Sequence, residues 1–531
     1  MLNKSILYRT MMQFLKKINL DKYENIIFVL TFLSLLYSII SNSFFDSFGF
    51  LSTDSTHFLK LAQSLKEDNG FYVFSWTNSG TKNFFSMWPI GYPFLIYSIS
   101  EILNIGVFWS SKFANVVCIL SILFLLKKNI RSGFSFATLI LLSGSFINIF
   151  SYTYTENLFA LGLILYVFNT SELETNPTKR NLFSSILAFI IVFSSRYIGG
   201  FLILYNALMI FNSIKKGKSI KYLTILLICS STYVLIYLYT NKYLTGHFTY
   251  PHAYLTYEPW YEITLHFIKK ILEELNLIMA SVRFNSYPLM AIFSSLISAI
   301  FFYYVSIYLN KNKVINQRLS DIAKKFFILG GMYIGIVIIW RMTIWFSPFS
   351  YRILFPSTIL LLLGLIFKIL SKTRSFNSDF KRLYLVLFII SSISFSFNVL
   401  YKQHKFKGMT YNQNINIILD KYKKVEKGSY LIFGERQLDY LRTDIVPLKP
   451  YYLPLFSKTE TINEFNYRIR DLGPIYFNIP SLCTKPYSTI SGDRDLNCIS
   501  LNHKIHHFDK DIISYIKKNN KIKLFRVKNI K

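Results

Sequence analysis

The sequence predicts an all-α polytopic membrane protein with a small C-terminal α/β domain, and three observations predict it. Of the 531 residues, 52% are hydrophobic and only 16% charged, far from the composition of a soluble globular domain. The apolar residues form long runs that recur to about Leu400 and then stop. Basic residues sit in short clusters between those runs, so the formal net charge of +31 reads as topology and anionic-lipid contact, not as a stripe for nucleic acid. Two parts follow, a membrane domain over residues 1–401 and a polar tail over residues 402–531.

The first element is the run Asn25 to Phe45, preceded by Lys4, Arg9, Lys16 and Lys17. It is long enough to cross a bilayer, and the basic excess places its start, and the N-terminus, in the cytoplasm. No small-residue cleavage site follows, so it is read as an uncleaved span. The first outer loop, residues 46–106, then begins outside. Phe58, Leu61, Ala62 and Leu65 recur at helical spacing and predict an amphipathic helix over Asp54–Lys66, lying in the interface. Pro89 to Leu103 is short and opens on Pro and Gly. If it crossed, the cluster Lys127, Lys128 and Arg131 would face outside, so it is read as a second juxtamembrane helix.

The remaining runs alternate: 107–126, 133–150, 154–168, 181–194, 196–211, 221–240, 284–309, 326–346, 353–370 and 383–401. About eleven spans result, with nearly every basic cluster inside. The loop 241–283 and the tail are therefore expected outside. In the tail, Ser429 to Phe433 reads as a strand and Gln437 to Leu441 as the start of a helix. Cys118 and Cys229 fall in apolar runs and read as packing residues. Cys483 and Cys498 are expected to pair if the tail is extracytoplasmic; two free thiols in a cytosolic tail are the alternative.

Charge at a membrane is costly and needs a partner or a task. Under this topology the outer ends of the spans collect it. Asp54 and His57 lie in the first loop, Lys112 near the start of the second span, and Glu156 where the third span hands over to the fourth. Arg196 and Tyr197 occupy the turn SSRYIGG, and Arg341 and Arg352 flank MTIWFSPFSY. A carboxylate can take the proton from an acceptor hydroxyl, and guanidinium or ammonium groups can hold a leaving phosphate. The set suits group transfer from a lipid phosphate at the outer surface. No Walker-type phosphate loop and no dinucleotide-binding glycine motif occurs, and no HExxH or Cys/His cluster, so neither a nucleotide nor a metal nor another cofactor is expected.

Each residue also has a plain structural reading. Asp54 suits the N-cap of its helix, His57 suits packing, and Glu156 suits a fold-stabilising ion pair. Lys112, Arg196 and Arg352 can reach headgroups, Arg341 reads as an interfacial anchor, and Pro89, Gly91 and Pro93 shape the backbone. His247, His252, Glu258 and Glu262 are candidates for contact with an acceptor.

In their order these features resemble the GT-C superfamily of polyprenyl-phosphate-dependent glycosyltransferases, and most of all its protein O-mannosyltransferase and lipid A aminoarabinose transferase branches. STDSTHF is similar to the acidic motif that opens the first outer loop, with Asp54 at the Asp position and His57-Phe58 at the following HF. Trp88-Pro89-Ile90-Gly91-Tyr92-Pro93 resembles the later HPPxYP-like element. Lys112 in SSKFAN, Glu156 in YTENLF, Arg196 in SRYIGG and Arg352 in FSYRILFP resemble the subsequent basic and acidic steps, and GSYLIFGERQLDYLRTDIVPLKP the small extracytoplasmic domain. Ser55 stands where Glu is usual and Trp88 where His is usual, and the WWDxG signature of the oligosaccharyltransferase branch is absent.

The resemblance implies a membrane enzyme, expected in a bacterial cytoplasmic membrane. It would transfer a single hexosyl or pentosyl group from a polyprenyl-phosphate donor, with inversion, to a lipid, glycan or protein acceptor at the extracytoplasmic face. Asp54 would be the base or would orient the acceptor, Lys112 and Arg352 would bind the donor phosphate, Glu156 and Arg196 would position sugar or phosphate, and His57 and Tyr197 would line the substrate. The alternative from another class is a lipid-linked saccharide transporter, for which charges within spans, internal repeats and broken helices are expected. A non-catalytic scaffold is the third reading.

Overall fold

The computed structural model of the chain describes residues 20–74, 82–249, 254–255, 258–280, 284–345, 349–373, 378–405, 408–432, 437–448, 475–478, 509–517 and 520–529. The chain divides into two compact units. One comprises Met1–Phe45, Ser86–Tyr92 and Ser111–Gly408; the other comprises Asp46–Phe85, Pro93–Ser110 and Met409–Lys531.

In chain order the first elements are α1 (Leu20–Phe45), α2 (Thr53–Lys66), the hairpin of β1 (Tyr72–Phe74) and β2 (Lys82–Phe84), α3 (Gly91–Leu103) and α4 (Val107–Asn129). Next come α5 (Phe134–Leu139) with a 3-10 turn over Ile140–Leu142, α6 (Gly144–Ser151), α7 (Glu156–Thr175), α8 (Lys179–Ser195), a 3-10 turn over Tyr197–Phe201 and α9 (Leu202–Lys215). There follow α10 (Lys221–Thr245), β3 (Tyr254–Leu255), α11 (Trp260–Glu274), α12 (Pro288–Lys311), α13 (Gln317–Thr343), β4 (Ile344–Trp345), α14 (Tyr351–Ser371) and α15 (Ser378–Lys405). The tail supplies α16 (Tyr411–Lys421), β5 (Tyr430–Ile432), α17 (Leu438–Leu441), β6 (Val446–Leu448), β7 (Ile475–Asn478), β8 (Asp509–Lys517) and β9 (Asn520–Asn529).

Among the described residues eight helices are long and apolar enough to cross a membrane: Tyr23–Phe45, Val107–Asn129, Tyr197–Lys215, Lys221–Thr245, Pro288–Lys311, Gln317–Thr343, Tyr351–Ser371 and Asp379–Leu400. The pair Phe134–Leu142 and Gly144–Ser151 is as apolar when taken together, is bent by 73°, and makes a ninth if it is one span. The sequence-based figure of about eleven also counted 154–168 and 181–194. Those runs are helical, but α7 carries Glu156, Glu172 and Glu174 and α8 has 17 residues. The run 89–103 folds as α3, whose 13 residues are too few for a core of about 30 Å.

The bend at Ser143 has a long-range cause. Gly144 Cα faces the backbone of 278–280: a Cβ there would stand 2.7 Å from both Ile278 O and Ala280 N. Gly144 N also donates to Leu277 O at 3.3 Å. Asn276 holds this buried segment in place. Its Nδ2 donates to Ser294 Oγ at 2.7 Å, and its Oδ1 accepts from Ile278 N at 3.1 Å and Met279 N at 2.9 Å. Leu277–Ala280 thus pack beside the break, although 241–283 reads in sequence as an outer loop. Elsewhere in this unit the helices interlock through aromatic rings, as where Phe168, Phe326 and Phe367 meet at 5.4–5.8 Å. In a bilayer such close packing, not escape from water, holds helices together.

The other unit contains a five-stranded sheet in the order β6-β5-β7-β9-β8. β5 runs parallel to β6 and β7, whereas β7 with β9 and β8 with β9 are antiparallel. Ile418, Tyr422, Val425, Leu431, Leu438, Ile445 and Tyr476 form its buried core. The stretch around α2 belongs to this body. Asn414 Nδ2 donates to Ser47 O at 2.8 Å, Thr443 Oγ1 donates to Glu67, and the rings of Phe108 and Tyr411 stack at 3.7 Å. The helix expected over Asp54–Lys66 is present as α2, and these contacts pack it into this body. Residues Ser55 to Ala62 are all buried, because α17 and β1 pack over them. Cys118 and Cys229 are free thiols, whereas Cys483, Cys498 and His252 lie outside the described residues.

Candidate active site

The connection from α6 to α7, residues 151–155, leaves the helical path and so exposes carbonyls that need partners. Side chains supply them. Lys112 Nζ donates to Ser151 O at 3.0 Å. Asn115 Nδ2 donates to Phe150 O at 2.9 Å and Tyr152 O at 2.7 Å, and Asn115 Oδ1 accepts from Tyr92 OH at 2.7 Å. The hydroxyls of Ser111 and Thr153 are 2.7 Å apart. One helical face of α4, residues 111, 112 and 115, thereby holds the connection. Lys112 and Asn115 are both buried.

Glu156 opens α7 at the end of this connection and is fully buried. Burial of a carboxylate demands pairing, and two guanidiniums provide it. Arg196 Nη1, at the C-cap of α8, lies 2.6 Å from Glu156 Oε1, and Arg352 Nε, in the first turn of α14, donates to the same oxygen. The side chains of Arg196 and Arg352 remain 22% and 21% exposed. Two guanidiniums thus meet on one carboxylate, and both side chains still reach out of the core. Arg352 also lies over the ring of Tyr154 at 4.2 Å, and Tyr154 stacks on Tyr152 at 4.8 Å. Such a partly open, positively charged fork suits an oxyanion.

Tyr197 follows Arg196 in the turn after α8. Its OH donates to Ser86 O at 2.8 Å and accepts from Asn241 Nδ2 at 2.8 Å, so it ties the WPIGYP stretch to α10. The same stretch is fixed by Ile90 N donating to Tyr237 OH at 3.0 Å and by Gly91 lying against α8. A Cβ on Gly91 would stand 2.6 Å from Ser194 O. Gly91→Ala is therefore expected to cost about 1–3 kcal/mol, read as a lowered thermal midpoint in detergent. Gly106→Ala, with nothing within 4 Å, is expected to leave the midpoint in place.

Asp54 and His57 belong to the other unit. Asp54 is not the N-cap of α2. Ser52 is, accepting from Ser55 N at 3.2 Å, while the Ser55 hydroxyl accepts from Ser52 N at 3.0 Å, the reciprocal arrangement of a capping box. Asp54 sits in the first turn, as the second residue of a helix whose cap is Ser52. His57 is buried at 3% exposure, and its neighbour Thr56 faces Asp439 Oδ2 at 3.4 Å.

One reading from the sequence is revised. Arg341 is no interfacial anchor: it is buried and donates to Glu258. Pairing of β3 with β4, Tyr254 opposite Trp345, brings Glu258 near it. Sequence reasoning also passed over Tyr154 and Asn115. The run YTYTEN placed two aromatic rings just ahead of Glu156 and was the available signal for the first.

Among solved structures, the chain is similar to ArnT from Cupriavidus metallidurans in the apo state, with a TM-score of 0.57, 7% identity, and 95% of this chain and 98% of that one covered. It is also similar to ArnT from the same organism bound to undecaprenyl phosphate, with a TM-score of 0.51, 9% identity, and coverage of 96% and 99%. The oligosaccharyltransferase AglB from Archaeoglobus fulgidus matches with a TM-score of 0.48 and 12% identity over 94% of this chain and 74% of that one. The fold is GT-C. No family model and no curated protein matches the sequence. On this scaffold, Glu156, Arg196 and Arg352 come from α7, the end of α8 and α14. Tertiary packing, not a local motif, assembles them.

Proposed function

We propose that this chain is a glycosyltransferase that moves one sugar from a polyprenyl-phosphate donor to an acceptor at the extracytoplasmic face, inverting the anomeric centre. The observation that carries the reading is the fork of Arg196 and Arg352 on buried Glu156, with both guanidinium side chains partly exposed. Sharing a fold with a protein crystallised with undecaprenyl phosphate supports the lipid carrier.

The acceptor oxygen attacks the anomeric carbon as the bond from that carbon to the phosphate oxygen breaks. The acceptor proton passes to a carboxylate, and polyprenyl phosphate leaves with an added negative charge. Arg196 and Arg352 stabilise that charge through hydrogen bonds that strengthen as it develops. Lys112 adds a further positive charge to the same connection while holding Ser151 O. The guanidiniums supply the neutralisation, so no metal is invoked. Asp54 is proposed as the base on its likeness to the acidic motif and because Ser52 relieves it of capping.

Asp54→Asn tests that assignment alone. It is expected to lower transfer from a polyprenyl-phosphate sugar by roughly 10²–10⁴-fold, with binding of the free lipid phosphate unchanged. Transfer at the parental rate would remove Asp54 from the mechanism.

The bend at Ser143 favours one other reading, since broken helices are a mark of transporters. Leu277–Ala280 pack beside that bend and are buried, which supports the transferase instead. Reconstituted protein that moves intact lipid-linked sugar across vesicles, without releasing polyprenyl phosphate, would reverse this choice.

A further inference from the structure

Among the described helices α11 combines a full apolar stripe with no protein covering it. Tyr261, Leu265, Ile268, Leu272 and Leu275 recur at intervals of four, three, four and three, the spacing of one helical face. All five are exposed, Leu265 at 66% and Leu272 at 62%. Glu262 and Lys269, both exposed, lie together along one edge of that stripe. The opposite face is turned inward: Ile263 is 2% exposed, and the rings of His266 and Phe267 pack on Phe349 at 6.2 and 5.3 Å. With 15 residues the helix is about 22 Å long, too short to cross a core of about 30 Å.

We propose that α11 lies in the plane of the membrane interface, with this stripe against phospholipid acyl chains and the Glu262/Lys269 edge among headgroups and water. Two features select a bilayer as the occupant over a protein. First, α11 stands between α10 and α12, two helices apolar enough to span. The latter opens with Leu289, Ile292 and Phe293 exposed at 81%, 60% and 66%, so the stripe continues a lipid-facing surface. Second, Trp260, 70% exposed at the first position of the helix, and Tyr261 are the side chains that favour the headgroup level.

The position of the inward face gives this anchor a reach beyond itself. Phe349, buried at 2% exposure under α11, precedes the N-cap of α14 and stands three residues before Arg352. The pairing of β3 with β4 and the Arg341–Glu258 pair fix the chain just ahead of α11 to the end of α13. The leaflet that α11 rests on is therefore the one at the α13–α14 connection, next to the guanidinium fork.

Photo-crosslinking of the full chain in native membranes tests the placement without depending on transfer activity, so its failure is separable from failure of the transferase reading. p-Benzoylphenylalanine at 265, 268 and 272 is expected to give phospholipid adducts by mass spectrometry. At 262 and 269 it is expected to give at least fivefold fewer. Adducts to another polypeptide, adducts to polyprenyl lipid in place of phospholipid, or equal labelling around the whole helix would each overturn the proposal.

Discussion

Arg352→Ala is expected to lower transfer from a polyprenyl-phosphate donor by roughly 10²–10³-fold, the scale of losing one oriented donor to a developing oxyanion. The geometry argues for a loss in turnover more than in protein yield. Arg352 shares Glu156 with Arg196, so the buried carboxylate keeps one partner at 2.6 Å. Arg352→Lys is expected to recover little. An ammonium cannot offer two parallel N–H donors or a planar face to the Tyr154 ring, which lies 4.2 Å below the guanidinium. The check is the initial rate in proteoliposomes together with inhibition by free polyprenyl phosphate, which should weaken in parallel. A variant that transfers normally would separate the fork from the chemistry.

Glu156→Gln is expected to be the most damaging single change to stability, at about 3–5 kcal/mol, because it leaves two guanidiniums facing each other without their shared counter-charge. Both arginines are about four-fifths buried, at 22% and 21% exposure, so solvent relieves little of the repulsion. The measurement is a thermal midpoint in detergent with the double variant alongside. Glu156→Gln with Arg196→Gln should regain part of the loss, since the like charges no longer meet, and the non-additivity gives the coupling directly. Unchanged stability in the single variant would mean that the carboxylate is not what holds the fork.

The spans were legible because their signal is local: twenty or so apolar residues state their own case, and α1, α4, α10, α12, α14 and α15 follow the runs closely. Where the sequence reading departs, a distant segment decides. The break between α5 and α6 falls inside an apolar run at Ser143, and the cause is the backbone of 278–280, over a hundred residues away, pressed on Gly144. Asp54 and Ser52 are equally good caps on paper, and only the reciprocal bond to Ser55 separates them. The burial of α2 depends on α17, which no pattern within residues 53–66 could reveal. For the site, the charges at the ends of the runs were readable one by one. Their grouping was not, since Glu156 and Arg352 stand 196 residues apart in the chain. Arg341 was misread for the same reason, its partner Glu258 being delivered by the short β3–β4 pairing.

The connection between α6 and α7 carries one more consequence. A non-helical stretch at a functional site usually has many conformations to lose when a ligand arrives, and that loss opposes binding. Here the carbonyls of Phe150, Ser151 and Tyr152 are already held by Asn115 and Lys112, and Asn115 is itself held by Tyr92. The freedom of this stretch is surrendered when the chain folds, not when an anion meets Arg196 and Arg352. Association at the fork should accordingly show little ordering entropy, and the amides of residues 152–157 should exchange with solvent as slowly in the empty protein as in the occupied one.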